Sequence, residues 1–207
     1  AFSDSSSSDD ENFLDRLFIS GGKSLAPFVA SGMDIVDKIL ELAGVEKGDV
    51  VCDLGSGDGR IPIRAAQLFG VRARGIELDS KLVASSRAKA AELGVDKLVE
   101  FVEGDIREVD LSDCTVIVCF LLPEALEVVQ DELCSWLGAS RGRRLVCSYW
   151  GLRGLKETRK EEHGKYANET LYLYTQESLG SASGEGAASA LMPAPAPAPA
   201  PDCGGSQ

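Results

Sequence analysis

The run Cys52-Asp53-Leu54-Gly55-Ser56-Gly57-Asp58-Gly59-Arg60 is where this chain most clearly carries chemistry. Three alternate glycines let a backbone turn sharply and bring its amide groups close to a ligand. Two carboxylates, Asp53 and Asp58, flank them. A G-x-G-x-x-G dinucleotide fingerprint would need its third glycine at position 60, where Arg60 stands. The carboxylates would also repel a pyrophosphate, so the loop suits a ligand with positive charge and no phosphate. The sequence GGKS at 21–24 is no Walker loop either, because the partner glycine would be needed where Leu17 lies. Beyond the loop, Glu77 stands where an acidic side chain accepts hydrogen bonds from both hydroxyls of a ribose. Asp105, in Glu103-Gly104-Asp105-Ile106, is placed to accept one from an adenine amino group.

These residues need elements to hold them. Residues 49–54, 72–77, 98–103, 115–121, 143–149 and 170–175 read as strands, and the charged stretch 154–165 as an edge strand antiparallel to the last. Residues 31–43, 61–69, 80–93 and 124–137 read as helices. The first is opened by Ser31 and Asp34 in capping-box spacing and ends at Gly44, the third is capped by Asp79, and the fourth is opened by Pro123. Repeated βα units imply an α/β fold: a Rossmann-like, doubly wound, seven-stranded, mostly parallel sheet with one antiparallel strand near the edge. Ligands in such sheets bind at the carboxyl ends of the strands, and Asp53, the glycine loop, Glu77 and Asp105 all lie at strand ends. S-adenosylmethionine, with a sulfonium, an ammonium and no phosphate, meets the charge requirement of the loop.

Composition narrows the field further. The 207 residues are 44% hydrophobic and 26% charged, an ordinary globular balance. Residues 1–24 form an acidic, Ser-rich tail and a lid segment, 25–176 the domain, and 177–207 a disordered Gly/Ala/Ser and Ala-Pro tail. The net charge is −12, half of it in the tails on Asp4, Asp9, Asp10, Glu11, Glu185 and Asp202. An acidic body excludes the basic stripe of a duplex-binding protein, so no nucleic-acid partner is expected. No apolar run reaches the length of a membrane span. Ala1 in place of Met fits a processed leader. Six cysteines, three of them in central strands, read as reduced thiols in an intracellular, reducing compartment, the cytoplasm or an organelle matrix such as the mitochondrial one. A single histidine, His163, and no C-x-x-C spacing leave no metal site expected.

With the run CDLGSGDGR (52–60), the chain resembles the class I, seven-strand S-adenosylmethionine-dependent methyltransferases over roughly residues 25–175. The resemblance implies that Asp53, Gly55, Ser56, Gly57 and Asp58 surround the methionine part of the cofactor. It implies that Glu77 holds the ribose with Leu78 against the adenine, that Asp105 and Ile106 read the adenine edge, and that Phe120 lies near the departing methyl. A narrower likeness rests on Ala26-Pro27-Phe28-Val29-Ala30-Ser31, DLGSGDGRI, GIELDSKLVASSR (75–87) and CFLLPEAL (119–126). These are similar to the mitochondrial lysine methyltransferases of the ATP synthase c subunit and the adenine nucleotide translocase, and to their bacterial relatives. That family has a proline where Ala30 stands.

The acceptor side is read from the residues just after the fourth and fifth strands. Phe120-Leu121-Leu122-Pro123 offers no polar side chain where nucleobase and amide methyltransferases resemble one another in an Asn or Asp before two prolines, and an apolar floor suits an aliphatic amine. Phe28, Leu121, Pro123, Tyr149 and Trp150 are the substrate-side candidates, and no residue is assigned as acid or base. A protein lysine, in a soluble or a membrane protein, is the first reading of the acceptor. A small-molecule acceptor and a non-catalytic cofactor-binding scaffold are the alternatives.

Overall fold

A computed structural model describes residues 32–163 and 169–180. The N-terminal lid segment, Ser31 with its capping role, Phe28 and the Ala-Pro run lie outside these residues.

The first helix, α1 (Met33–Leu42), follows from apolar side chains at a helical period: Ile35, Val36, Ile39 and Leu40 are buried together. Its N-cap is Gly32, with no side-chain hydrogen bond. β1 (Val50–Leu54) is buried at every position, as a central strand covered on both faces must be. α2 (Arg60–Phe69) tolerates Pro62 in its first turn, where no intrahelical donor is needed. β2 (Arg72–Glu77) leads to α3 (Ser80–Glu92), whose first turn is capped by Asp79 accepting from the Lys81 amide at 2.8 Å. β3 (Val99–Glu103) and β4 (Val116–Cys119) follow, then α4 (Pro123–Ala139), which begins at proline as expected. β5 (Arg144–Ser148), β6 (Arg159–His163), β7 (Glu169–Tyr174) and α5 (Gln176–Leu179) complete the order.

The seven strands lie in the order β3-β2-β1-β4-β5-β7-β6. All neighbours pair parallel from β3 to β5, and β7 runs antiparallel to both β5 and β6. This is the expected sheet. The strand order reverses between β1 and β4, so the crevice for a ligand lies beyond their carboxyl ends. β6 is the charged edge, with Lys160 paired to Glu162 at 2.8 Å, and those charges discourage a second chain from adding to it.

Two apolar clusters pack on the sheet. One lies under α1, α2 and α3, with Val51, Val118, Val146 and Leu171 from the strands. The other lies under α4, with Cys52, Ile117, Leu145 and Cys147. Leu179 packs against this second cluster and Ser178 is buried, so the ordered domain runs past the boundary expected at 176. The tail reading is corrected for 177–180: Thr175 caps the short α5 and draws the chain back onto the sheet. Cys52, Cys114, Cys119, Cys134 and Cys147 are all unbridged, and four of them are buried. Among the described residues no helix is long and apolar enough to cross a membrane.

Candidate active site

The loop after β1 is built by hydrogen bonds to β2. The amides of Gly55 and Ser56 both donate to the Ile76 carbonyl, at 3.0 and 2.9 Å. Gly55, Gly57 and Gly59 have φ of 83°, 53° and 75°, which side chains with a Cβ resist. At Gly59 a Cβ would also lie 2.4 Å from the Phe101 ring, so glycine is required there twice over.

Glu77, the last residue of β2, turns its carboxylate into this loop. Its Oε2 accepts from the Gly57 amide at 2.9 Å, and its Oε1 from the amides of Leu78 and Asp79 at 2.8 and 3.0 Å. Three backbone donors therefore fix the carboxylate beside the glycines. Leu78 next to it is 37% exposed, leaving an apolar surface on which a flat ring can rest. The Gly104 amide donates to the Glu77 carbonyl at 3.0 Å, which brings the Asp105 loop alongside.

Asp53 is 4% exposed, and burial, with the nearby charges of Glu77 and Asp58, raises its carboxyl to about 8. A buried acid among acids is stabilised as a carboxylate by an incoming cation. Ser56 is also 4% exposed, and its Oγ has no partner among the described residues. That Oγ lies beneath the loop, 2.6 Å from where a Cβ on Gly75 would be, so Gly75 leaves it the space it occupies. These observations fit a cationic nucleoside: an acidic wall, a close-approach backbone and an oriented carboxylate.

Two expected residues are engaged differently. Asp58 faces Arg60 and Lys89: it accepts from Arg60 Nε at 2.8 Å and Arg60 Nη2 at 2.9 Å, with Lys89 Nζ at 3.3 Å. These cations hold its carboxyl below the ordinary range even though burial opposes them. Asp105 is folded back onto Arg107, whose guanidinium holds its carboxyl down at about 2. Ile106 turns its side chain into the second core cluster.

On the acceptor side the structure brings Phe120, Tyr149 and Trp150 together. Phe120 stacks on Tyr149 with ring centroids 4.8 Å apart and planes 12° from parallel, and on Trp150 at 6.0 Å. Leu121 does not join them. It is 4% exposed and lies beneath Gly55, within 3.6 Å of where a Cβ would be, so the expectation that it lines the acceptor side is corrected: it is the floor of the glycine loop. Pro123 serves as the first residue of α4.

Two residues at this edge escaped the sequence reading. Glu169 opens β7 and accepts a hydrogen bond from the Tyr149 hydroxyl at 3.1 Å. Desolvation and that carboxylate push the Tyr149 hydroxyl above its usual range. Ser148 is 1% exposed, and its Oγ too is without a partner among the described residues. The sequence signal for Glu169 was the antiparallel return itself, which sets the start of β7 beside the end of β5. A cavity of about 710 Å³ lies at the opposite edge of the sheet, lined by Arg143, Arg144 and Thr158, far from these groups in the topology.

Comparison with known proteins agrees with this geometry. Residues 53–159 match the family described as the ANTKMT methyltransferase domain. A protein-lysine N-methyltransferase of Saccharolobus islandicus (strain REY15A) is 38% identical over 151 residues, 72% of this chain and 92% of that protein. The mouse adenine nucleotide translocase lysine N-methyltransferase is 38% identical over 108 residues, 52% of this chain and 46% of that protein. The chain thus spans nearly all of the archaeal relative and about half of the mammalian one. A solved structure described as an RNA methyltransferase from Salinibacter ruber, in complex with S-adenosyl-L-homocysteine, is 40% identical with a TM-score of 0.67. It covers 71% of this chain and 93% of that one.

Proposed function

Because the chain belongs to the ANTKMT methyltransferase family and is an S-adenosylmethionine-dependent methyltransferase, we propose that it methylates the side-chain amine of a protein lysine. The observation that carries this acceptor is the identity of 38% along 92% of an archaeal protein-lysine N-methyltransferase. A membrane protein is the narrower acceptor class, supported by the mouse relative, whose name specifies the adenine nucleotide translocase. Unbridged cysteines in the core support a reducing compartment.

When bound, the cofactor supplies a methyl on a sulfonium, which departs as a neutral thioether. The chain's own residues do the positioning. Glu77, held by three amides, presents its carboxylate to the ribose hydroxyls. Leu78 supports the adenine, with Asp105 beside it. Asp53 and the glycine loop face the methionine part, where the Asp53 carboxylate offsets its positive charge. Phe120, Tyr149 and Trp150 form an apolar wall toward the acceptor, which excludes water and aligns the nucleophile. A lysine amine with a reference pKa of about 10.4 must first release a proton, a cost of about 4 kcal/mol near pH 7.

RNA is the second reading, because the Salinibacter ruber structure carries that description. Against it stands the net charge of −12, which disfavours the approach of a polyanion. The deciding experiment incubates the protein with methyl-labelled S-adenosylmethionine and a cell extract fractionated into membrane proteins, soluble proteins, RNA and small molecules. Label on lysine in a protein fraction is expected. Label confined to RNA or to small molecules overturns the lysine reading and leaves the cofactor site as described.

A further inference from the structure

Tyr149 is the one non-glycine residue with positive φ, 66°, among the described residues. A bulky residue there is strained by about 1 kcal/mol or more, so something must hold it. Two contacts do. Its amide donates to the Thr170 carbonyl at 2.8 Å, and its hydroxyl donates to Glu169 Oε1 at 3.1 Å. The turn this enforces lays the Tyr149 ring flat against Phe120, with Trp150 tilted beside both at 5.8 and 6.0 Å. All three rings and Glu169 sit at the edge where β4 and β5 end and β7 begins, the edge that carries Glu77 and the glycine loop.

Glu169 forms no ion pair with any described lysine or arginine. A carboxylate has two acceptor oxygens, and the tyrosine engages one of them. Stacked aromatic faces beside a carboxylate that no described lysine or arginine pairs with make an environment for an alkylammonium: the faces attract its positive charge and the carboxylate accepts a hydrogen bond from any N–H it carries.

We propose that Glu169, braced by Tyr149 beside the Phe120 and Trp150 rings, receives the cationic end of the acceptor side chain and selects it over a neutral one. This rests on the reading of the acceptor as a lysine amine. It adds a residue outside the cofactor-binding motifs, and a discriminating role for the strained tyrosine. A methylated amine keeps its charge but loses N–H donors, so the trimethyl form is held through its charge on the rings and the carboxylate, without a hydrogen bond.

The test uses the full chain saturated with S-adenosylhomocysteine and three probes: Nα-acetyl-lysine amide, its Nε-trimethyl form and Nα-acetyl-norleucine amide. Binding is followed by ligand-observed NMR, in which stacked rings shift the trimethylammonium protons upfield. Both cations are expected to bind and norleucine amide to bind at least about fivefold more weakly. Glu169→Gln is expected to weaken the cations about tenfold and leave S-adenosylhomocysteine affinity unchanged, and Tyr149→Phe to weaken them by about threefold. Norleucine amide binding as well as the cations overturns the proposal in the unaltered protein, whatever either variant does. Unchanged cation affinity in a Glu169→Gln protein that still binds S-adenosylhomocysteine overturns it as well. Failure of the lysine reading shows elsewhere, as absence of lysine label in the extract experiment.

Discussion

The carboxylate of Glu77 meets three backbone amides before any ligand arrives, so its position is settled by the loop it helps to shape. Glu77→Ala is expected to weaken S-adenosylhomocysteine binding by about 10- to 100-fold, from lost hydrogen bonds to a charged acceptor, as measured by titration calorimetry. Near-native affinity would show that the ribose is held elsewhere. Asp53 makes a different prediction. Its folded-state carboxyl stands at about 8, above the unfolded value, so the folded state keeps the proton that the unfolded state has released. Stability from this group is full below about pH 4 and is lost as pH rises towards 8. The thermal midpoint of cofactor-free protein is therefore expected to fall, between pH 5 and 8.5, more steeply than that of Asp53→Asn. Parallel profiles for the two proteins would remove Asp53 as the cause. Asp53 was legible because it adjoins the glycines, and Glu77, although 20 residues from Gly57, because the spacing from a glycine loop to the end of the next parallel strand is a recognisable pattern. Glu169, at the same separation from Tyr149, was not, because no motif of fixed spacing links the end of β5 to the start of β7 and only their pairing brings the two together.

Among the elements, the edge opposite the site shows what holds β1, β4 and β5 in register. Asp49, 7% exposed, accepts from the Glu46 amide at 2.8 Å and the Thr115 hydroxyl at 2.7 Å, and pairs with Arg144. One carboxylate thus joins the starts of three adjacent strands. Asp49→Ala leaves the Arg144 cation without its counter-charge and is expected to cost about 2 to 3 kcal/mol, read from the midpoint of urea unfolding. Cofactor affinity below the transition should not move, since no residue of the site touches Asp49; a parallel loss of affinity would count against this separation of roles. Element types were readable from periodicity, and the boundaries were not. The strand expected over 115–121 closes at Cys119 because Phe120 leaves the ladder to stack on Tyr149, and the helix expected to end at 137 runs to Ala139. The short α5 carried no periodic signal of its own, and its place is decided by Leu179 reaching the second cluster.

For the whole molecule, the excess of acidic over basic residues bears on how partners arrive. With a net charge of −12, a basic acceptor protein is drawn in by a long-range field that salt screens, while the enclosed contacts of the cofactor site are screened far less. The KM for a basic protein acceptor is expected to rise several-fold between about 50 and 300 mM salt, with the S-adenosylhomocysteine affinity nearly constant, in steady-state assays and calorimetry. Equal sensitivity of both would locate the charge effect in the cofactor site. What the sequence by itself determined was the alternation of strand and helix, the parallel sheet, and the chemistry of the glycine loop with Asp53 and Glu77. These depend on local periodicity, on glycine at positive φ and on acidic residues at recognisable spacings from the glycine loop. What only the tertiary structure decided was which side chains from distant elements meet: Phe120, Tyr149, Trp150 and Glu169 as one group, Leu121 as core, and Asp58 reached by Lys89. Such meetings depend on strand order and register, which are set by packing across the whole sheet and leave no mark in the spacing of residues along the chain.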